Sequence, residues 1–231
     1  MPGLIRVGHK GAHHIAPGNT IESFGAALAH GVDMIEFDVL RTRDGRLVLA
    51  HDYADADGRD PLPLEVGLDH FAGEAYAGIE LDVDLKLPGY EREVAEGLLE
   101  RELGRRSLVS SHHPESLERL GEIAPGLRRG WSVPRVQRNY MRSPLAVPAY
   151  AVARAMRARL PGRASARIEA GGCEAIMAHQ LLVSARLVRR VHGAGGQVYV
   201  WTVDSARQIA ALEALGVDGV ITNDPRLFDA Y

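Results

Sequence analysis

The chain has 231 residues, 46% apolar and 25% charged, with a formal net charge of −3. This composition allows a sizeable core, offers no basic surface for nucleic acid, and contains no run near the roughly 18 apolar residues of a membrane span. Cys173 is the only cysteine, so no internal disulfide can form, and a reducing, cytoplasmic setting is expected.

The strand pattern starts at Leu4–Gly8, which leaves no room for a signal peptide, and ends on His9-Lys10-Gly11. A helix is expected over Thr20–His30, with Ile21, Phe24 and Leu28 on one stripe. Asn19 with Glu22 three residues later reads as its capping box. Met34–Leu40 is an apolar strand interrupted by Glu36 and Asp38, and Leu47–Ala50 a shorter one ending at His51. Between them lies Asp44-Gly45, a hairpin signal, and the gap is too short for a parallel crossover. A turn centred on Asp44-Gly45 sets His51 opposite Asp38.

Residues 53–80 read as a loop-rich insert with one short helix. Strands follow at Leu81–Lys86, Leu108–Ser111, Gly130–Val133, Ala175–Ala178, Val198–Val203 and Gly219–Ile221. Helices are expected at Arg92–Leu103, Pro114–Ile123, Pro148–Arg159, Ser184–Ala194 and Ser205–Leu215, and residues 134–170 are otherwise poorly patterned. Strands alternating with helices predict a parallel sheet. Setting the hairpin aside leaves eight parallel strands. The expected fold is α/β, a (β/α)8 TIM barrel with a short hairpin arm after the second strand, in a single domain over residues 1–231.

Chemistry-bearing residues fall at strand ends, where barrel enzymes keep their sites. Glu36 and Asp38 are two apart on a strand and share a face. Asp82, Asp84 and Lys86 do the same on another strand. Buried carboxylates this close repel unless compensated, and their hard oxygens suit one divalent cation, Mg2+ or Ca2+. Glu36, Asp38 and Asp84 are the candidate ligands. A solvated strand face, or a salt bridge to Lys86, would be the ordinary alternative.

His9 and His51 are candidate proton-transfer residues. The chain's 27 basic residues include only two lysines, Lys10 and Lys86, both at strand ends beside acidic or histidine residues. Compact ammonium groups there are candidates to meet phosphate. His113, with His112, follows a strand and is a candidate for the mouth of the site. Trp201 is placed either against the apolar part of a substrate or in the core. Cys173 has no obvious base beside it.

Taken together, these residues resemble the glycerophosphodiester phosphodiesterase family. The family pattern H-R-G, P-E-N-T, a helix with Phe, I-E-x-D-V, T-x-D-G and H-D stands here without gaps. Its matches are His9-Lys10-Gly11, Pro17-Gly18-Asn19-Thr20, Phe24, Ile35-Glu36-Phe37-Asp38-Val39, Thr42-Arg43-Asp44-Gly45 and His51-Asp52. Asp84-Leu85-Lys86 is similar to its E-x-K, and Ser110-Ser111-His112 to its S-S-F. Val198–Val203 and Gly216–Asn223 are similar to its closing strands.

The resemblance implies a barrel enzyme that hydrolyses glycerophosphodiesters to an alcohol and glycerol phosphate. It implies His9 and His51 as the acid/base pair, Glu36, Asp38 and Asp84 as metal ligands, and Lys10 and Lys86 as phosphate contacts. Lys10, Gly18 and Asp84 depart from the family's Arg, Glu and Glu. Two rival readings are a phospholipase-D-like lyase on lysophospholipids, against which the lone cysteine argues, and a phosphate-binding barrel that has lost catalysis.

Overall fold

A computed structural model describes residues 3–135 and 146–229. Nine strands are present among them: β1 (Ile5–Gly8), β2 (Met34–Arg41), β3 (Leu47–Leu49), β4 (Glu80–Leu85), β5 (Ser107–Ser111), β6 (Arg128–Val133), β7 (Ala175–His179), β8 (Gln197–Trp201) and β9 (Gly219–Thr222). Eight of them run parallel in the order β1-β9-β8-β7-β6-β5-β4-β2, and β1 pairs with β2 to close the ring. The expected barrel is therefore present. β3 is the extra strand, antiparallel to β2.

Val39 pairs with Leu85 of β4 on one edge and with Leu49 of β3 on the other. The arm thus takes up the β2 edge beyond the point where β1 leaves it. Its register differs by one residue from the expected one. The pairs are Val39 with Leu49, Leu40 with Val48 and Arg41 with Leu47, which sets Ala50, not His51, level with Asp38. The cause is a three-residue loop in place of two: Thr42 N–H donates to Arg46 O, and Gly45 takes φ +91°. A type I turn closed by a left-handed glycine gives this geometry.

The helices are α1 (Ile21–Ala29), α2 (Tyr53–Asp57), α3 (Leu64–Phe71), α4 (Glu91–Glu100), α5 (Pro114–Ile123), α6 (Ala146–Glu169), α7 (Ala185–Gly193) and α8 (Ala206–Leu215). The insert after His51 carries two short helices rather than one. α6 continues ten residues past the expected end, through Pro161. The rest of the poorly patterned stretch, residues 136–145, lies outside the described residues.

Strand alternation divides the buried side chains into two layers. Outward-facing Ile35, Phe37, Val39, Leu81, Val83 and Leu85 pack with the helices. There Phe24, Phe37 and Phe71 bring their ring centroids to 4.7–6.1 Å. Removing one such ring would cost about 3–5 kcal/mol. The barrel interior is plugged by Val7, Met34, Leu108, Ala175, Met177, Tyr199 and Ile221. Tyr199 fits there because β9 offers Gly219, where a Cβ would lie 2.5 Å from the ring. Further along the same strands the inward positions become polar, with Glu36, Asp38, Asp82, Asp84, Ser110 and Ser132 all buried. The apolar plug thus forms a floor, and the polar layer stands on it towards the strands' C-terminal ends.

Candidate active site

The four inward carboxylates come from two neighbouring strands in register, Glu36 beside Asp82 and Asp38 beside Asp84. Lys86, one residue past β4, places its ammonium 2.5 Å from Asp38 Oδ1 and 2.6 Å from Asp84 Oδ2. Lys10 Nζ lies 3.3 Å from Asp38 Oδ2. Burial alone would raise the Asp38 pKa, but Lys86 and then Lys10 outweigh it and hold the carboxyl well below the usual range. Burial would likewise lower Lys86, yet Asp38 and Asp84 keep it firmly protonated. Glu36 is pushed well above its usual range, first by burial and then by the charge of Asp38. Asp82 is pushed up to about 8 by burial and by Asp84, so at neutral pH it is mostly uncharged.

A tight turn after β1 presents Lys10. Lys10 has φ +53° and Gly11 φ +83°, and a non-glycine residue held there costs about 1–2 kcal/mol. Polar contacts hold the turn in place. Glu36 Oε2 accepts from Lys10 N–H at 2.8 Å, and Lys10 C=O accepts from Ser23 Oγ at 2.6 Å and from Asn19 N–H at 3.1 Å.

Asn19 does not cap α1. That role belongs to Thr20, whose Oγ1 accepts from Ser23 N–H at 3.2 Å. Asn19 is 1% exposed, has φ +60° and turns inward. Its Nδ2 donates to Asp38 Oδ2 at 2.9 Å, and its Oδ1 accepts from Asp38 N–H at 3.1 Å. The expected capping box at Asn19 is therefore replaced by a Thr20 cap. The cue to the other role was the positive-φ preference of Asn, one residue before a better cap.

His9 follows β1 and points its Nε2 toward Glu36 Oε2, 3.8 Å away. Its Nδ1 is 2.6 Å from Asn223 Oδ1. Burial, aided by the Lys10 charge, lowers its pKa to about 4. His51, beyond β3, is half-exposed, with Nδ1 3.0 Å from Asp52 Oδ2.

Both histidines line one cavity of about 150 Å3, together with Glu36, Asp82, Asp84, Lys86, Ser110, His112, Ser132 and Trp201. Trp201 Nε1 donates to Met177 C=O at 2.8 Å, and the ring meets His112 and His179 edge-on. Trp201 therefore packs on the barrel floor and also faces the cavity. His113 is absent from the cavity wall. It precedes α5, is buried, and pairs with Glu115 at 3.1 Å. His112 occupies the wall, its Nδ1 3.0 Å from Ser132 O, and burial lowers its pKa. A larger groove of about 570 Å3 lies by α5, but Glu91, Glu115, Glu118 and Glu122 outnumber the single cation Arg119 in its lining, which disfavours an anionic ligand.

One oxygen each from Glu36, Asp38 and Asp84 lies within 4.8 Å of the others, and all three residues are buried. Three hard oxygen donors that close suit a cation bound at about 2.0–2.6 Å, and the Lys86 ammonium already bridges two of them. The donor set fits a divalent metal.

A closed parallel barrel with carboxylates, lysines and histidines at the C-terminal ends of its strands has the layout of a barrel enzyme. The family model described as the glycerophosphoryl diester phosphodiesterase family matches residues 9–60 and 70–227. The chain belongs to that family and is a phosphoric diester hydrolase. A curated glycerophosphodiester phosphodiesterase from Caldanaerobacter subterraneus is 26% identical over 95% of this chain and 93% of its own length. Among solved structures, a glycerophosphoryl diester phosphodiesterase homologue from Silicibacter pomeroyi has the same fold. It superposes at TM-score 0.76 with 22% identity, covering all of this chain and 95% of that one. A phosphodiesterase from Oleispira antarctica, solved with its product sn-glycerol-3-phosphate, superposes at 0.70 with 18% identity, covering 99% and 96%.

Proposed function

We propose that this chain hydrolyses glycerophosphodiesters to an alcohol and sn-glycerol 3-phosphate, with Glu36, Asp38 and Asp84 holding one divalent cation, Mg2+ or Ca2+. The convergence of Glu36 and Asp84 with His9 and His51 on one small cavity, with an oxygen of buried Asp38 within 4.8 Å of theirs, carries the reading. A divalent cation bound there supplies Lewis-acid polarisation of a phosphate oxygen and a template for the glycerol oxygens.

The protein's own groups do the rest. Lys86, kept protonated by Asp38 and Asp84, and Lys10 offset charge that builds on the phosphate. His9 and His51 move the protons of the entering and leaving oxygens, each step worth about 10²–10⁴ in rate. Trp201 and His112 give the leaving alcohol a wall with both apolar and polar character. We read residues 1–231 as one catalytic domain. No helix among the described residues is long and apolar enough to cross a membrane, and with a single cysteine the cytoplasm is the proposed location.

The test is turnover of glycerophosphocholine, with and without chelator, by the wild-type protein and by His9→Ala and His51→Ala. Loss of activity in chelator, restored by Mg2+ or Ca2+, is expected. Each histidine variant should fall by about 10²-fold or more. Full activity in chelator would refute the cation site, and a cyclic phosphate product would point to the lyase chemistry.

A further inference from the structure

Asp204 lies just past β8 and Asn223 just past β9, and neither has a part in the reaction outlined above. Asp204 Oδ1 accepts from Asn223 N–H at 2.9 Å and from Thr222 Oγ1 at 3.1 Å, and its Oδ2 accepts from Asn223 Nδ2 at 2.7 Å. A carboxylate can only accept. The atom of the Asn223 amide that faces Asp204 must therefore be its nitrogen, which removes the usual ambiguity of amide orientation.

The Asn223 oxygen is then left facing His9 Nδ1 at 2.6 Å. A carbonyl oxygen also only accepts, so Nδ1 must carry the proton. A neutral imidazole has one N–H, so the lone pair is on Nε2. That nitrogen is the one nearest Glu36, on the cavity side of the ring. The His9 backbone is fixed from the same segment, with His9 N–H donating to Thr222 C=O at 2.8 Å.

We propose that Asp204 and Asn223 are a positioning pair that sets the tautomer and the aim of His9, keeping its Nε2 free as a proton acceptor toward the substrate. The proposal deepens the reading of His9 as a proton-transfer residue and rests on it. The amide serves better than a carboxylate would at residue 223, because it holds the ring without adding charge beside Glu36 and Asp38. It needs Asp204 for the same reason: without that carboxylate either end of the amide could face the ring.

Imidazole ¹⁵N NMR of the cation-free protein reads the tautomer without turnover. Wild-type His9 should show its proton on Nδ1 alone, and Asn223→Ala should show a mixture of tautomers. In turnover, Asn223→Ala should lower kcat by about 10–100-fold, as loss of an orienting partner does elsewhere, and leave KM largely unchanged. Asp204→Asn should move both readouts the same way and by less. The double variant should be no worse than Asn223→Ala, because the two residues act as one unit.

An unchanged tautomer in Asn223→Ala, wild-type kcat in that variant, or additive losses in the double variant would each overturn the proposal. If Asn223→Ala does not fold, Asp204→Asn with the same NMR readout decides it. His9→Ala separates the two layers of the argument. Full turnover in His9→Ala would remove the role of His9 in proton transfer, while the NMR result would still decide whether the pair fixes its tautomer.

Discussion

A Cβ on Gly18 would stand 2.8 Å from the Cβ of Lys10 and 3.1 Å from its Cδ. Both residues are departures from the pattern the chain resembles, Lys10 in H-R-G and Gly18 in P-E-N-T, and they stand against each other in the structure. The Lys10 side chain lies in the space that a side chain at residue 18 would need.

Gly18→Glu is therefore expected to push Lys10 away from Asp38 and lower kcat/KM about tenfold, the effect of about 1.4 kcal/mol. In a Lys10→Gly background, which removes both contacting carbons at a φ of +53° that glycine tolerates, the same substitution should cost little more. Steady-state kinetics of the single and double variants check this, and additive losses would count against the steric link.

Asn19 grips Asp38 at both its backbone and its carboxylate. Asn19→Ala should weaken divalent-cation binding about 10–100-fold, as expected for a residue that orients a ligand. Calorimetric titration with Mg2+ or Ca2+ measures it directly. An affinity equal to that of the wild type would mean that Asp38 is held well enough by its lysines alone.

Much of this fold was legible from residue order. The eight parallel strands and the extra arm follow from apolar runs and from the seven residues between Val39 and Leu47, too few for a crossover. The carboxylates followed from period-two spacing, because Glu36, Asp38, Asp82 and Asp84 are fixed to one face by the pleat alone. Interactions between distant segments were not legible. Spacing does not reveal that Asn223 stands behind His9, or that Asn19 serves Asp38 while Thr20 caps the helix. The one-residue register difference at His51 arose because Asp-Gly suits both two- and three-residue loops. The choice between His112 and His113 depended on where β5 stops and α5 begins, and sequence boundaries are least sharp there.

The raised pKa of Asp82 predicts a pH signature in the cation-free protein. Its folded-state value of about 8 exceeds the 3.8 of an ordinary aspartate. Between those limits the native state holds a proton that the unfolded chain has released, so stability is lost as pH rises through the window, by up to about 1.4 kcal/mol per unit. Asp82→Asn removes this dependence. Its stability advantage over the wild type should grow from pH 5 to pH 8 in urea melts. His9, whose value is lowered, contributes the opposite slope to both proteins and cancels in the comparison. Parallel curves for the two proteins would show that Asp82 is ionised in the native state.

His112 stands in the cavity wall against Trp201, where the family pattern has Phe. His112→Phe should preserve the wall while removing its polar atoms. KM for substrates with hydroxylated alcohol groups should rise about fivefold, the effect of one lost hydrogen bond of about 1 kcal/mol, with kcat little changed. Comparing glycerophosphoglycerol with glycerophosphocholine tests this, and equal KM changes for the two would remove His112 from substrate selection.

His9 and Asn223 are 214 residues apart in the chain, yet they meet because the last strand docks on the first. The hydrogen bond that orients His9 therefore cannot form until the ring is complete. A ribosome-bound or partly folded chain can contain every acidic ligand of the site and still lack a correctly presented histidine. Catalytic competence should consequently appear as the final event of folding, timed by the docking of β9, so that an incomplete barrel would be silent toward its substrates.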